Sequence, residues 1–558
     1  MVEITRNNFE DKFNEIASQL RSAVFIAVDN EFTGLLSDQD YKSSLFDSGS
    51  ERYDKLRRNI EHFLVMEVGI SAFQFVEDEN KYVANTYTFY VFPRSFGSIE
   101  TKFMCQASSL EFLYQHKFDF NKFVYEGVSY LNCQQEIKLR QELYEGSLFR
   151  HLERTISLDD EKLVQSGCSR VAEWCPSAVE NDVLSLEYTT YCRGEKRLAY
   201  IIHKELRQRF HNIWTFPDTD KVSPNKVSQK QRDQFVDDTS LEDDMMNSLL
   251  GFSRIFNLLL ELRKPIVGHN LLLDLMIMYN QFHKPLPSQF GVFKEKIHKL
   301  FPVVYDTKYL SFELRKLVRR EDMWDTNVLS NLYYYFKNGR GKYIVLFSPL
   351  VELKERSNSA GSICTFSNFS TNCHFDKLYV DDVDHFHEAG WDSFCTGYCF
   401  IKMAHIFAHI TCLFLLHSVM DGRLLSSREL LAAAYSRKNR VNLIRASVSH
   451  VCLDGPDPPS TRPKWLHVQT RGYIRPIDIS KVAELFAKYG IVDVKPFSRY
   501  RALVAVGNHT SAKDILCDFY NHRELRVSWY RPLWHSPMLR IATWTTGLMC
   551  AYLLYRRR

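Results

Sequence analysis

The sequence predicts an α/β protein built on a mixed sheet, interrupted by an insertion and followed by a smaller α+β region. Three observations carry this. Apolar, β-branched and aromatic runs over residues 23–32, 64–75 and 82–92 follow one another without an intervening helix, which suggests an antiparallel meander. From residue 246 onward helical patterns alternate with short strands, the signature of parallel pairing. Residues 465–520 then read β-α-β-β-α. A chain of 558 residues is too long for one core, so several domains are expected. The formal charge of +4 is small for this length, so any polyanionic partner must meet local basic patches. Thirteen cysteines form no C-x-x-C pair and no disulfide framework, and no secretory signal opens the chain, so reduced cytosolic thiols are expected.

Taken in order, Phe9, Phe13, Ile16 and Leu20 recur at helical spacing behind Asn7 or Asn8, a plausible N-cap, which predicts a helix to Ser22. The strand that follows ends in Asp29 and Glu31. A polar loop spans residues 37–50. Residues 106–113 open a helix, with Ser108 or Ser109 as cap. Residues 135–245 change character and read as an insertion: mixed helical patterns with scattered Lys and Arg, then a polar stretch at 217–244 that predicts a loop or linker. A helix over 246–263 and strands at 264–268 and 301–306 resume the α/β pattern. The apolar run 393–417 raises a membrane question, but Lys402, His405 and His409 point to a buried core helix.

The expected boundaries are thus 1–134 and 246–445 for the two parts of the main domain, 135–245 for the insertion, and 446–530 for the last domain. Residues 538–555 are apolar apart from Arg540 and a few threonines, and Arg556 to Arg558 follow. A short C-terminal span with basic flanks that can snorkel predicts a transmembrane anchor.

The chemistry concentrates in acids. Asp29 and Glu31 lie at i and i+2 of one strand and share a face. Two carboxylates at the end of an apolar strand are costly unless solvated, protonated or neutralised, and a divalent metal is the simplest neutraliser for all-oxygen ligands. Asp274 sits in an otherwise apolar helix just after a strand, and Asp392 opens the long apolar helix, five residues after His387. Four carboxylates can hold two divalent ions that activate a water and stabilise a phosphodiester leaving oxygen, and a histidine can take the proton of that water. Cys364, Cys373, His374, His385 and His387 fall close together, but their irregular spacing does not fit a zinc site.

Asp29-x-Glu31, Gly268-His-Asn-x-x-x-Asp274 and His387-x-x-x-x-Asp392 resemble the three exonuclease motifs of the DEDD superfamily, in its histidine (DEDDh) subgroup. With residues 106–113, Gly251-Phe-Ser-Arg254 and Asp306-Thr-Lys308, the chain resembles the poly(A)-specific ribonuclease family over nearly its whole length to about residue 530, and its membrane-anchored Trimmer branch by its tail. The resemblance implies a ribonuclease H-like fold and a two-metal 3′-to-5′ exoribonuclease that releases 5′-mononucleotides. Asp29, Glu31, Asp274 and Asp392 would hold two Mg²⁺ ions, with Mn²⁺ able to substitute, and His387 would act as base. Phe32, Leu35, Ser108, Ser109 and Phe112 would line the pocket for the terminal nucleotides, and Lys308 would approach phosphate. Any of the apolar ones also fits a core position.

The last domain is similar to an RNA-recognition motif, with small residues over 500–506 where stacking aromatics belong. Arg207 and His211 resemble the Arg-x-x-x-His single-strand nucleic-acid-binding modules, although a charged helix face has the same pattern. The branch further implies single-stranded RNA 3′ ends as substrate, namely PIWI-bound piRNA precursors. It implies a Tudor-type or other adaptor that presents them, and a place on the mitochondrial outer membrane facing the cytosol, with the endoplasmic reticulum as alternative. It allows a homodimer. A general mRNA deadenylase and a catalytically inactive, membrane-tethered RNA-binding scaffold are the competing readings.

Overall fold

The central strand β2 (Phe25–Phe32) holds the main domain together because both of its faces are covered. Phe25, Ile26, Ala27 and Val28 are all buried, which explains a continuous apolar run in place of alternation. In the computed structural model β2 pairs antiparallel with β3 (Val65–Val76), and β3 with β4 (Lys81–Tyr90), as expected, although a helix, Gly49–Ile60, does intervene between β2 and β3. On the other side of β2, the short strands Ile266–Gly268 and Val304–Asp306 add in parallel. The outer edge of β4 is taken in parallel by β1 (Val2–Ile4) and by Leu350–Leu353. The result is a seven-stranded mixed sheet. The structure describes residues 1–154, 156–192, 195–218, 221–235, 238–318, 324, 326–343, 348–354, 385–416, 424–471, 476–532, 545–552 and 556.

The long helix Ala389–Leu416 packs on this sheet. Phe25 stacks on Phe73 at 4.7 Å between ring centroids and meets Phe400 edge-on at 5.0 Å. Each such fully buried ring contributes roughly 1.5–3 kcal/mol of transfer free energy. Lys402 reaches out of the apolar stretch to Ser348 Oγ at 2.9 Å and the Pro349 carbonyl at 2.7 Å, and His405 is buried. The helix is therefore the core element that its interior polar residues predict.

The chain divides into two compact units, residues 1–37, 57–288 and 292–440 in the first and 38–56, 289–291 and 441–558 in the second. Within the first unit, the insertion has its own apolar cluster around Val171, Leu186, Ile202, Leu206 and Ile213. It carries a three-stranded sheet of Leu186–Glu187, Lys221–Lys226 and Ile213–Phe216. The expected loop over 217–244 is thus corrected: it contributes a strand, the helix Gln229–Gln234 and the start of Ser240–Leu250. Its few apolar residues suffice because Val222 packs into the cluster and Leu241 caps it. The helix expected over 246–263 is two, Ser240–Leu250 and Phe252–Leu262, broken at Gly251. There φ is +40°, and a Cβ would sit 2.2 Å from the Ser129 carbonyl.

The second unit contains an antiparallel sheet in the order Val492–Ser498, Arg501–Val506, Leu466–Thr470, Leu525–Trp529. The helices Ile479–Ala487 and His509–Asp518 complete it. Leu503 and Ala505 alternate with core-facing Ala502, Val504 and Val506, yet they are buried too. Near them Phe46 meets Trp465 at 5.1 Å, and Lys495 lies over both rings. Of the expected anchor 538–555, residues 538–544 and 553–555 lie outside the described residues, and 545–552 are helical. Among the described residues no helix is long and apolar enough to cross a membrane, so the expected transmembrane helix finds no counterpart there.

Candidate active site

The carboxyl end of β2 brings the acids together. Asp29 pairs in register with Gly69 of β3, and a Cβ on Gly69 would lie 1.8 Å from the Ala389 carbonyl. The missing side chain is what lets the start of helix Ala389–Leu416, and with it Asp392, approach the strand. The residues before this helix are held too. The Ala389 amide donates to Glu67 Oε1 at 2.8 Å, and the His387 amide donates to Asp392 Oδ2 at 3.2 Å. His387 itself has φ of +73°, a conformation that L-residues adopt only when their surroundings enforce it.

From the other side, the helix Leu272–Phe282 presents Asp274, whose Oδ1 accepts a 2.9 Å hydrogen bond from Asn30 Nδ2. Asn30 lies between the two strand acids and points oppositely, which explains how it reaches that helix. Asp306 ends the neighbouring strand and accepts from the amides of Asn270, Leu271, Lys308 and Tyr309 at 2.9–3.3 Å. It fixes the turn that starts the Asp274 helix, a positioning role that reading the strand end as merely acidic misses.

Carboxylate oxygens of Glu31 and Asp392 and a ring nitrogen of His387 all lie within 4.8 Å of one another. The electrostatics are those of a cation site. Burial, then the charges of Asp392, Asp274, Glu31 and Glu67, push the Asp29 carboxyl well above its usual range. Burial, then Asp392, Glu67 and Asp274, does the same to Glu31. Burial drives Asp274 up to about 7 against the Asn30 hydrogen bond, and Asp392 up to about 7 against the His387 amide. Asp392 Oδ1 is buried and has no hydrogen-bond partner among the described residues. Clustered carboxylates, Asp274 and Asp392 buried and Asp29 and Glu31 half-buried, with an orphaned oxygen fit a hard divalent cation. His387 is held near a pKa of about 4 by burial and by His116, so its imidazole is neutral and able to accept a proton.

Of the expected substrate residues, Phe112 lies against His387 at 4.7 Å between centroids, and His116 sits 4.2 Å from the same ring. Leu35 is 52% exposed and Phe112 41% exposed, large apolar surface left at the rim. Gln106 ties their two segments together: its Oε1 accepts from the Leu35 and Leu36 amides at 3.0 and 3.1 Å, and its Nε2 donates to Ser108 Oγ at 3.0 Å. Ser108 is exposed, and Ser109 and Phe32 are half-buried. Ser108 and Ser109 do not cap the helix Ala107–Gln115, whose N-cap is Gln106. Lys308 is half-buried beside Asp306 and His269, and burial lowers its ammonium pKa. Of the five grouped zinc-type residues, Cys364, Cys373 and His374 lie outside the described residues.

Asn30, Glu67 and His116 escaped sequence reasoning. Glu67 is buried on β3 opposite Glu31, and burial pushes its carboxyl up to about 8. The only available signal was an acid inside an otherwise apolar strand. A cavity of about 170 Å³ opens beside it, lined by Tyr90, His116, Lys122, His387 and Glu388 among others. The Arg207 expectation needs correction. Arg207 is buried, donates to the Thr215 carbonyl and Oγ1, pairs with Asp238 at 3.3 Å and stacks on Trp214 at 4.1 Å. It is neither a solvated helix face nor open to a ligand, while His211 is exposed.

A mixed α/β sheet with half-buried and buried acids gathered at the end of its central strand, and a histidine beside them, fits a metal-dependent nuclease domain. The chain belongs to the CAF1 ribonuclease family, whose model, described as CAF1 family ribonuclease, matches residues 4–400. It is similar to the pre-piRNA 3′-exonuclease trimmer of Bombyx mori, 34% identical over 100% of this chain and 99% of the relative. It is also similar to the poly(A)-specific ribonuclease PNLDC1 of Mus musculus, at 32% identity over 100% and 99%. The poly(A)-specific ribonuclease PARN of Homo sapiens matches at 28% over 92% of this chain and 77% of that protein. The chain is a metal-dependent 3′-to-5′ exoribonuclease with a ribonuclease H-like fold.

Proposed function

We propose that this enzyme trims the 3′ ends of PIWI-bound piRNA precursors, releasing 5′-mononucleotides. The observation that carries the reading is end-to-end similarity to a pre-piRNA 3′-exonuclease, and the grouping of Glu31, His387 and Asp392 supports it. Asp29, Glu31, Asp274 and Asp392 would hold two Mg²⁺ ions in this reading, with Mn²⁺ as substitute, and the bound metal would supply water polarisation and charge neutralisation at the scissile phosphate. His387 removes the proton of the attacking water, whose oxygen bonds to phosphorus as the bond to the 3′-oxygen of the preceding nucleotide breaks. That oxygen takes up a proton from solvent. Phe112 and Leu35 stack or pack against the terminal bases, Ser108 and Ser109 contact the terminal nucleotides, and Lys308 approaches phosphate.

The insertion 135–245 and the RRM-like domain 446–530 serve as accessory elements, the latter without base stacking on Leu503 or Ala505, which are buried. A Tudor-type or other adaptor presents the RNA, and the segment 538–555 anchors the enzyme to the mitochondrial outer membrane with the nuclease facing the cytosol. The test is a time course on 5′-labelled oligo(A) and mixed-sequence RNA, with Mg²⁺ or chelator, wild type beside Asp392→Ala. Metal-dependent shortening at equal rates, lost in the variant, supports trimming. Strong preference for oligo(A) would favour a deadenylase, and inert wild type on both free and PIWI-bound RNA would favour a scaffold. Deleting residues after Pro537 should release the protein from the membrane fraction; retention there would remove the anchor.

A further inference from the structure

The strand geometry places a second basic feature on the same edge of the sheet as the acids. β4 runs parallel to β2, being antiparallel to β3, and β1 runs parallel to β4, so all three end on one edge. Glu31 faces Glu67, Glu67 faces Tyr90, and Ile4 faces Phe89, so the chain leaves β1 level with the acid row. Three strand spacings of ~4.8 Å put this exit roughly 14 Å from Glu31. Here a cleft of about 460 Å³ opens, and Arg6, Arg94 and Arg197 line it.

Its charge is largely uncompensated. Of the other charged groups in the lining, Glu10 is held by both oxygens on Arg254 at 2.8 Å, and Lys196 is spent on Asp244 at 3.1 Å. Glu195 is the remaining acid. Arg94 uses Nη2 on the Tyr125 and Gly127 carbonyls and is anchored over Phe92 at 5.1 Å. The Arg6 and Arg197 guanidiniums make no side-chain hydrogen bond or ion pair among the described residues. Burial, then the nearby charge of Arg6, lowers the Arg94 pKa. A concave site of this kind suits phosphate oxygens: Arg6 and Arg197 can each donate two parallel N–H bonds, and Arg94 adds the donors its carbonyl contacts leave over.

We infer that this cleft grips the phosphodiester backbone of the RNA on the 5′ side of the terminal nucleotides, so that the strand crosses the sheet edge from cleft to acid centre. The inference rests on the exoribonuclease reading and adds to it a length dependence. Short oligonucleotides reach only the acids, whereas longer ones engage the cleft as well. The sites are also separable by salt, because backbone contacts release counterions, about 0.7 in log–log slope per phosphate on a single strand.

The test compares the full chain with Arg6→Ala/Arg197→Ala on a 5′-labelled dinucleotide, too short to reach the cleft, and a 30-mer of mixed sequence, in Mg²⁺, across a salt series. The expected result is a KM for the 30-mer raised roughly tenfold with kcat unchanged, a smaller salt slope, and unaltered kinetics on the dinucleotide. An unchanged KM on the 30-mer overturns the proposal, and so does an equal loss on both substrates. Anisotropy of a labelled 30-mer, in chelator to prevent cleavage, gives a second readout: the variant should bind roughly tenfold more weakly, and equal binding overturns the cleft. A wild type that fails on both substrates speaks against the nuclease reading, while the binding measurement still decides the cleft. Arg6→Lys/Arg197→Lys should restore part of the binding, which a merely structural role would not require.

Discussion

Removing the divalent cation should make the fold sensitive to pH in a direction that the buried acids dictate. In the folded chain Asp274 and Asp392 have pKa values of about 7, whereas unfolded aspartate titrates near 4. The folded state therefore binds more protons than the unfolded state across roughly pH 4–7, so stability is full below pH 4 and falls as pH rises through about 7. Three units at 1.36 kcal/mol correspond to about 4 kcal/mol for either carboxylate, an upper figure, since water and rearrangement relieve part of it. About two of those three units fall between pH 5 and pH 8, and a unit of roughly 400 residues unfolds with about 0.8 kcal/mol/K of entropy, so the metal-free Tm should drop by ~3 °C across that window for each such group. Mg²⁺ or Mn²⁺ should reverse the drop at pH 8 and do little at pH 5, where protons compete for the same oxygens. The assay is thermal unfolding followed by circular dichroism at pH 5, 6, 7 and 8, in chelator and in metal, for wild type and Asp274→Asn. The variant lacks one titrating group and should show a shallower decline. A chelated wild type with the same Tm at pH 5 and pH 8 would refute the reasoning.

Three further outcomes follow from single contacts. His387→Ala should lower kcat by roughly 10²–10⁴ while RNA binding in chelator persists, and a kcat within a factor of three would remove the general-base role. Asn30→Ala leaves Asp274 without its 2.9 Å donor, so the Mg²⁺ concentration for half-maximal activity should rise 10–100-fold at little cost in Tm. Gly69→Ala forces a methyl against the Ala389 carbonyl, where 1.8 Å is available, and should abolish cleavage by displacing Asp392; retained activity would show that the helix can back away from β3.

What the sequence determined by itself was local. Asp29 and Glu31 share a face because strand periodicity is two, and the apolar run before them required burial on both sides of β2. Asp274 and Asp392 stood out because an unpaired acid in an apolar helix needs a reason, and the motifs around them carried the family. The interior polar residues of 389–416 likewise identified a core helix. Distances between segments far apart in the chain were decided by tertiary structure alone. Asn30 on Asp274, Glu67 on Ala389 and His116 on His387 join residues separated by 244, 322 and 271 positions, and no spacing rule reports such pairs. Arg207 looked like a surface cation because helical spacing does not reveal that Trp214, Thr215 and Asp238 close over it. The strand at 221–226 was hidden for a related reason: its polar residues belong to a small sheet in which this strand buries just Val222 and Pro224. Arg6 and Arg197 lie 191 positions apart, and only the parallel ends of β1, β4 and β2 put their cleft on the edge that carries the acids.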